Sequence, residues 1–160
     1  MASSVRGFAL RDLTQHGKAE LAHVVVNPGK TLPASATGNL FAVTGEIVVL
    51  GLFGIVSTIL QASNVSPTLG VTGLPAGIAA APASPYNATA VGAVISPPLV
   101  LGGALPAPVV AQAATAGSGL FVVNAANITI TTATTVTGAI TWVLSYAPLM
   151  PKSGASATFV

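Results

Sequence analysis

The chain has 160 residues, room for one domain with a real core, but only 5% are charged against the ~25% usual in soluble proteins. Hydrophobic residues make up 52%, which excludes ordinary disorder, and between Glu46 and Lys152 run 105 residues without Asp, Glu, Lys, Arg, His or Cys. General acid/base catalysis, metal ligation and activated nucleophiles draw on those side chains, so catalysis over most of the chain is not expected.

In chain order, residues 1–30 stand apart, with six of the eight charges and both histidines. A short helix over residues 8–15 would be stopped by Gly17, and Met1 to Leu13 lacks the apolar region of a cleavable signal peptide. Residues 21–26 favour a strand through Val24, Val25 and Val26, with a turn predicted at Asn27, Pro28 and Gly29. Leu40 to Thr44 reads as a strand, and Thr44, Gly45 and Glu46 as a tight turn or bulge. Residues 47–60 are too short for a membrane-spanning helix and read as paired strands. Their unbroken Val, Ile and Leu predict cover on both faces, in a sandwich or an intersubunit core.

Eight of the twelve prolines fall between residues 63 and 108, which predicts loops with short edge strands near 91–95 and 99–101. Ile78, Tyr86, Val91, Val94, Ile95, Leu99, Val100 and Leu101 supply anchors that a flexible linker would lack, so the loops should be ordered. Strands follow at residues 120–123, 127–131 and 139–146. In the last, Ile140, Trp142, Leu144 and Tyr146 share one face and should be core. Seven threonines in residues 129–141 offer strand propensity and a hydroxyl surface without charge. Residues 155–160 are a candidate terminal strand.

Few side chains invite a chemical reading. Asp12 and His16 are spaced i, i+4 near Ser3 and Ser4, but a triad also needs a framework and an oxyanion hole, so an exposed ion pair is the plainer reading. His16, His23 and Glu20 match no recognised metal spacing, and no cofactor is expected. Asn64, Asn87 and Asn127 open N-x-[ST] triplets of the kind that Ser/Thr-rich chains produce by chance. Arg6, Arg11, Lys18, Lys30 and Lys152 are scattered, so neither nucleic acid nor a membrane is an expected partner. Glu46 is expected at a solvated turn, the alternative being a pair with an arm lysine or arginine across subunits. Trp142 and Tyr146 are expected in the core, the alternative being a ligand platform.

The run Leu40, Phe41, Ala42, Val43, Thr44, Gly45, and the later Gly138, Ala139, Ile140, Thr141, Trp142, Val143, Leu144, Ser145, Tyr146, Ala147, Pro148, Leu149, resemble motifs of small structural proteins of tailed bacteriophages. Ser153, Gly154, Ala155, Ser156 and Ala157 are similar to the tail that closes those proteins, and the likeness covers about half the chain. The chain departs from the pattern at Glu46, where a second glycine is usual, and in its Pro/Ala-rich middle. The resemblance implies a virion protein without catalytic residues, a capsid decoration or cement protein first of all.

The expectation is therefore an all-β protein, a sandwich or jelly-roll-like barrel, with an extended N-terminal arm over residues 1–30. The β domain would cover residues 31–150, with loops at 63–108, and residues 151–160 would form a tail or short strand. The chain would be a non-enzymatic homo-oligomer, such as a trimer, on a capsid surface, with the major capsid protein as partner. Arg6, Phe8, Leu10, Arg11 and Leu13 in the arm are the candidate contacts, apolar anchors beside cations that can pair with capsid carboxylates. A phage tail or fibre-tip component and a neutral surface adhesin stand as alternatives.

Overall fold

The computed structural model describes residues 22–61, 65–97, 101–110, 120–149 and 155–160, and among them there is no helix. The strands are β1 (His23–Thr31), β2 (Thr37–Thr44), β3 (Glu46–Thr58), β4 (Pro67–Val71), β5 (Leu74–Ala79), β6 (Ala93–Ile95), β7 (Val109–Val110), β8 (Phe121–Asn124), β9 (Ile128–Thr132), β10 (Ala139–Pro148) and β11 (Ser156–Phe159). They form two antiparallel sheets in a sandwich that does not close into a barrel. The front sheet runs β1-β10-β3-β6-β7, with β8 also on β3, and the back sheet runs β11-β2-β9-β4-β5.

The period of two in β10 does what its sequence implies: Ile140, Trp142, Leu144 and Tyr146 are buried, while Thr141, Val143 and Ser145 are only partly so. From the front sheet, Ile47, Val49, Leu52, Val56, Phe121 and Val123 join them in the core, and from the back sheet Phe41, Val43, Leu69, Ile128, Ile130 and Ala157. Gly54 lies under the indole, where a Cβ would meet Trp142 ring carbons at 3.1 and 3.2 Å and Ile140 Cγ2 at 2.6 Å. A flat ring packed on a bare backbone is how a residue this large fits between the sheets.

Four local expectations are corrected. Residues 47–60 are not paired strands: Glu46–Thr58 is one long strand, hydrogen-bonded to β10 on one side and to β8 and β6 on the other. Asn27, Pro28 and Gly29 do not end the first strand, but form a bulge across which β1 resumes pairing with β10 at Lys30. The composition boundary at residue 30 therefore cuts through β1. The expected turn at Gly45, where φ is 69°, joins no hairpin: β2 and β3 belong to different sheets, and the chain crosses between them there.

The fourth correction concerns the proline-rich middle, where β4 and β5 form a hairpin and β4 is an interior strand of the back sheet. Its prolines occupy the places a sheet tolerates: Pro67 opens β4 and Pro75 lies in the edge strand β5. The short strand expected near 91–95 exists as β6, but it pairs on both sides, with β3 and β7. Leu101 lies in a turn, and Leu99 and Val100 fall outside the described residues.

The intervening loop is tied down by named contacts. Ile78, Tyr86 and Ile95 are buried, whereas Val91 and Leu101 are exposed and anchor nothing. Tyr86 N donates to Val65 O at 2.7 Å, its phenol donates to Pro106 O, Ala88 N donates to Gln61 O and Gly92 N donates to Val56 O. Burial pushes the Tyr86 phenol well above its ordinary range. A phenol whose pKa is raised by folding contributes stability that is complete below the unfolded value of about 10 and is lost as pH rises beyond it. Alkaline titration of the unfolding midpoint should fall above pH ~10, and Tyr86→Phe should flatten that fall while costing about 1 kcal/mol at neutral pH for the lost hydrogen bond. An unchanged alkaline slope in the variant would count against this role.

The two sheets are also fastened along the side where β1 meets β11. Asn27, only 4% exposed, donates through its amide to Leu40 O at 2.7 Å and to Val160 O at 3.3 Å, joining the edge of the front sheet to the back sheet. Lys30 Nζ donates to Val160 O at 2.6 Å beside it. A buried amide at this seam satisfies its donors on carbonyls of the opposite layer, as a buried polar group must.

Candidate interaction surface

The outward side of the front sheet follows from strand alternation and register. Because Ile140, Trp142, Leu144 and Tyr146 point inward, Thr141, Val143, Ser145 and Ala147 point outward, and pairing places their neighbours beside them. Val26, Val143 and Phe53 form one row across β1, β10 and β3; Thr141, Ile55 and Val94 form a second, and Ala147, Val48 and Val122 a third. Val24 stands beside Ser145, and Leu50 bulges outward where the β3–β10 register shifts.

Apart from Thr141, Ser145 and Gly51 beside it these side chains are apolar, and five of them are exposed while the others are half-buried. Val24 is 63% exposed, Val122 56%, Val26 44%, Leu50 38% and Phe53 36%. The expected cover on both faces of β3 is not what the sandwich provides: both faces are apolar, but only one is covered. One carboxylate sits at the end of the surface, where Glu46 accepts from Asn124 Nδ2 at 3.0 Å. It is half-buried, in a strand rather than a turn, and its described partner is this asparagine.

The outward side of the back sheet has different chemistry. Thr37, Thr131 and Thr68 stand in one row across β2, β9 and β4, with Thr37 and Thr131 hydroxyls 2.7 Å apart. Thr44 and Ser156 are paired at the other end. Thr134, Thr135 and Thr137 are exposed as the threonine-rich run implied, but Thr129 and Thr132 are buried, the latter donating to Pro33 O. The back sheet thus carries hydroxyl rows, with Leu74 and Phe159 exposed on its two edge strands, β5 and β11.

Among the described residues the charged side chains are Lys30 and Glu46, and both are engaged within the chain. No group of three His, Asp or Glu residues converges among them. Trp142 and Tyr146 are core residues, 1% and 4% exposed, so they form no ligand platform; Tyr146 stacks on His23 with ring centroids 5.1 Å apart. The candidate contacts Arg6, Phe8, Leu10, Arg11 and Leu13 lie outside the described residues, as do Ser3, Ser4, Asp12, His16 and Glu20. Sequence reading missed Val24, Val26, Leu50, Phe53 and Val122 as a joint surface. The signal available was the excess of apolar residues on both faces of 47–60, which a single sandwich does not absorb.

No family model matches the chain, and no curated protein and no solved structure matches it.

Proposed function

We propose that this chain is a non-enzymatic structural subunit of a bacteriophage virion, a decoration or cement protein that binds the assembled capsid and stabilises it. The observation that supports this reading most is a folded sandwich in which Lys30 and Glu46 are the charged side chains among the described residues, each hydrogen-bonded within the chain, while hydroxyl and apolar side chains make up most of the described strand faces. Freely dispersed subunits depend on net charge for colloidal solubility, whereas subunits fixed in a particle do not. The resemblance of the Leu40 to Gly45 and Gly138 to Leu149 runs to small tailed-phage proteins supplies the kind of particle.

Mechanically, a protein that binds the assembled lattice and not free capsid subunits adds its binding free energy to the particle's resistance to disruption. Arg6, Phe8, Leu10, Arg11 and Leu13 are the proposed capsid contacts, which leaves the sandwich as the body they tether. The test is a copy count by isotope-dilution mass spectrometry on purified virions of the encoding phage. Hundreds of copies per particle are expected. A ring-sized number would move the chain to the tail, and its absence from virions would overturn the reading.

A further inference from the structure

We infer that the outward side of the front sheet is a homotypic interface, in which two copies of this chain pack face to face about a two-fold axis passing near Phe53. The inference does not rest on the virion reading, since pairing is a property of the purified chain and is measured without capsids.

Three observations carry it. First, the surface is continuous: the Thr141, Ile55, Val94 row, the Val26, Val143, Phe53 row and the Ala147, Val48, Val122 row follow one another on hydrogen-bonded strands, with Val24, Ser145, Gly51 and Leu50 between the last two. Exposed apolar surfaces on monomers rarely exceed a few hundred Å2. Second, its size suits a contact between copies that forms and dissociates. The rows run from Thr141 to Ala147, seven residues of β10, and span four strands, on the order of 20 Å by 23 Å at ~4.8 Å between strands and ~3.3 Å per residue. Two such faces pressed together would bury on the order of 900 Å2, the size of a weak, concentration-dependent contact.

Third, the chemistry selects the occupant. Among the described residues the face offers no cation, and its carboxylate, Glu46, sits at the end and is already held by Asn124. A partner must therefore be flat, apolar and uncharged. Another copy of the same face meets that requirement, and the threonine face of the back sheet does not. A two-fold arrangement keeps the Glu46 ends at the rim of an apolar contact and brings Phe53, near the midpoint of β3, close to its own counterpart.

The absence of cysteine from the sequence makes the test clean. Phe53→Cys, oxidised in dilute solution, should form a disulfide-linked dimer within minutes, while Thr131→Cys on the back sheet should stay at the collisional background. Sedimentation of the unmodified chain at rising concentration should approach twice the monomer mass, and Phe53→Lys should hold it at the monomer mass over the same range with an unchanged β spectrum. Val26→Lys, on an edge strand, serves as the second variant should Phe53→Lys fail to fold. The inference is overturned by a monomeric or trimeric parent chain, by equal cross-linking at residues 53 and 131, or by lysine variants that remain dimeric. Lysine variants that lose capsid binding while the parent chain is itself monomeric would assign the face to the capsid and overturn it likewise.

Discussion

Trp142→Ala should lower the free energy of unfolding by about 3–5 kcal/mol, the range for truncating a buried Trp, and the melting temperature by roughly 6–20 °C. The indole is 1% exposed, belongs to the central layer of the sandwich and rests on Gly54, so its removal leaves a cavity that flanking β-sheet backbone cannot close. With domains stable by about 5–15 kcal/mol in total, this single change removes a large share. Trp142→Phe should cost far less, under about 1.5 kcal/mol. The indole Nε1 is buried without a hydrogen-bond partner among the described residues, and replacing it with carbon relieves a desolvation cost of about 1–3 kcal/mol that offsets part of the lost volume. Urea titration of the three proteins decides the matter: equal losses for Ala and Phe would mean that Nε1 is bonded and that volume is not the controlling quantity.

Gly70→Ala should also be damaging, although it adds one methyl group. Gly70 sits in β4 opposite Thr129 of β9, and the chain folds back over it after the β4–β5 turn. A Cβ at residue 70 would lie 2.1 Å from Leu74 O and 2.5 Å from both the carbonyl carbon and the oxygen of Pro75. These are backbone atoms at the start of β5, so no rotamer change relieves the overlap and the hairpin must move. Overpacking of this kind costs about 1–3 kcal/mol or more. Gly51→Ala is the control, because its Cβ would meet Ser145 Cβ at an ordinary 3.9 Å. Native-state hydrogen exchange should show protection lost first in Leu74–Ala79 and least in β10, as expected when a local unit opens before the whole sandwich. Equal melting temperatures for the two alanine variants would refute the steric account.

The apolar rows of the front sheet and the hydroxyl rows of the back sheet give the sandwich an orientation that composition does not convey. Where charge is scarce, a surface must be either hydrated through neutral groups or removed from water by a partner. The Thr37, Thr131, Thr68 row meets the first condition, and the Val26, Val143, Phe53 row calls for the second. A cement protein would gain from this division, since one set of contacts could join copies while the N-terminal residues engage the lattice.

What the sequence determined by itself was local: the all-β character, the inward set Ile140, Trp142, Leu144 and Tyr146, and the excess of apolar residues over 47–60. Each follows from side-chain alternation and strand propensity, which act over a few neighbouring residues. Tertiary structure decided the rest. Whether Asn27, Pro28 and Gly29 end a strand depends on β10 lying alongside to resume the pairing at Lys30, and whether proline-rich residues 67–79 form strands depends on β9 being there to receive β4. Which apolar side of β3 is buried was likewise not local. Both sides carry Val, Ile, Leu or Phe, and only the arrival of the back sheet over Ile47, Val49, Leu52 and Val56 left Val48, Leu50, Phe53 and Ile55 facing outward. Such pairings join residues as far apart as Val26 and Val143, and a contact across that separation is set by the packing of whole layers rather than by any run of neighbours.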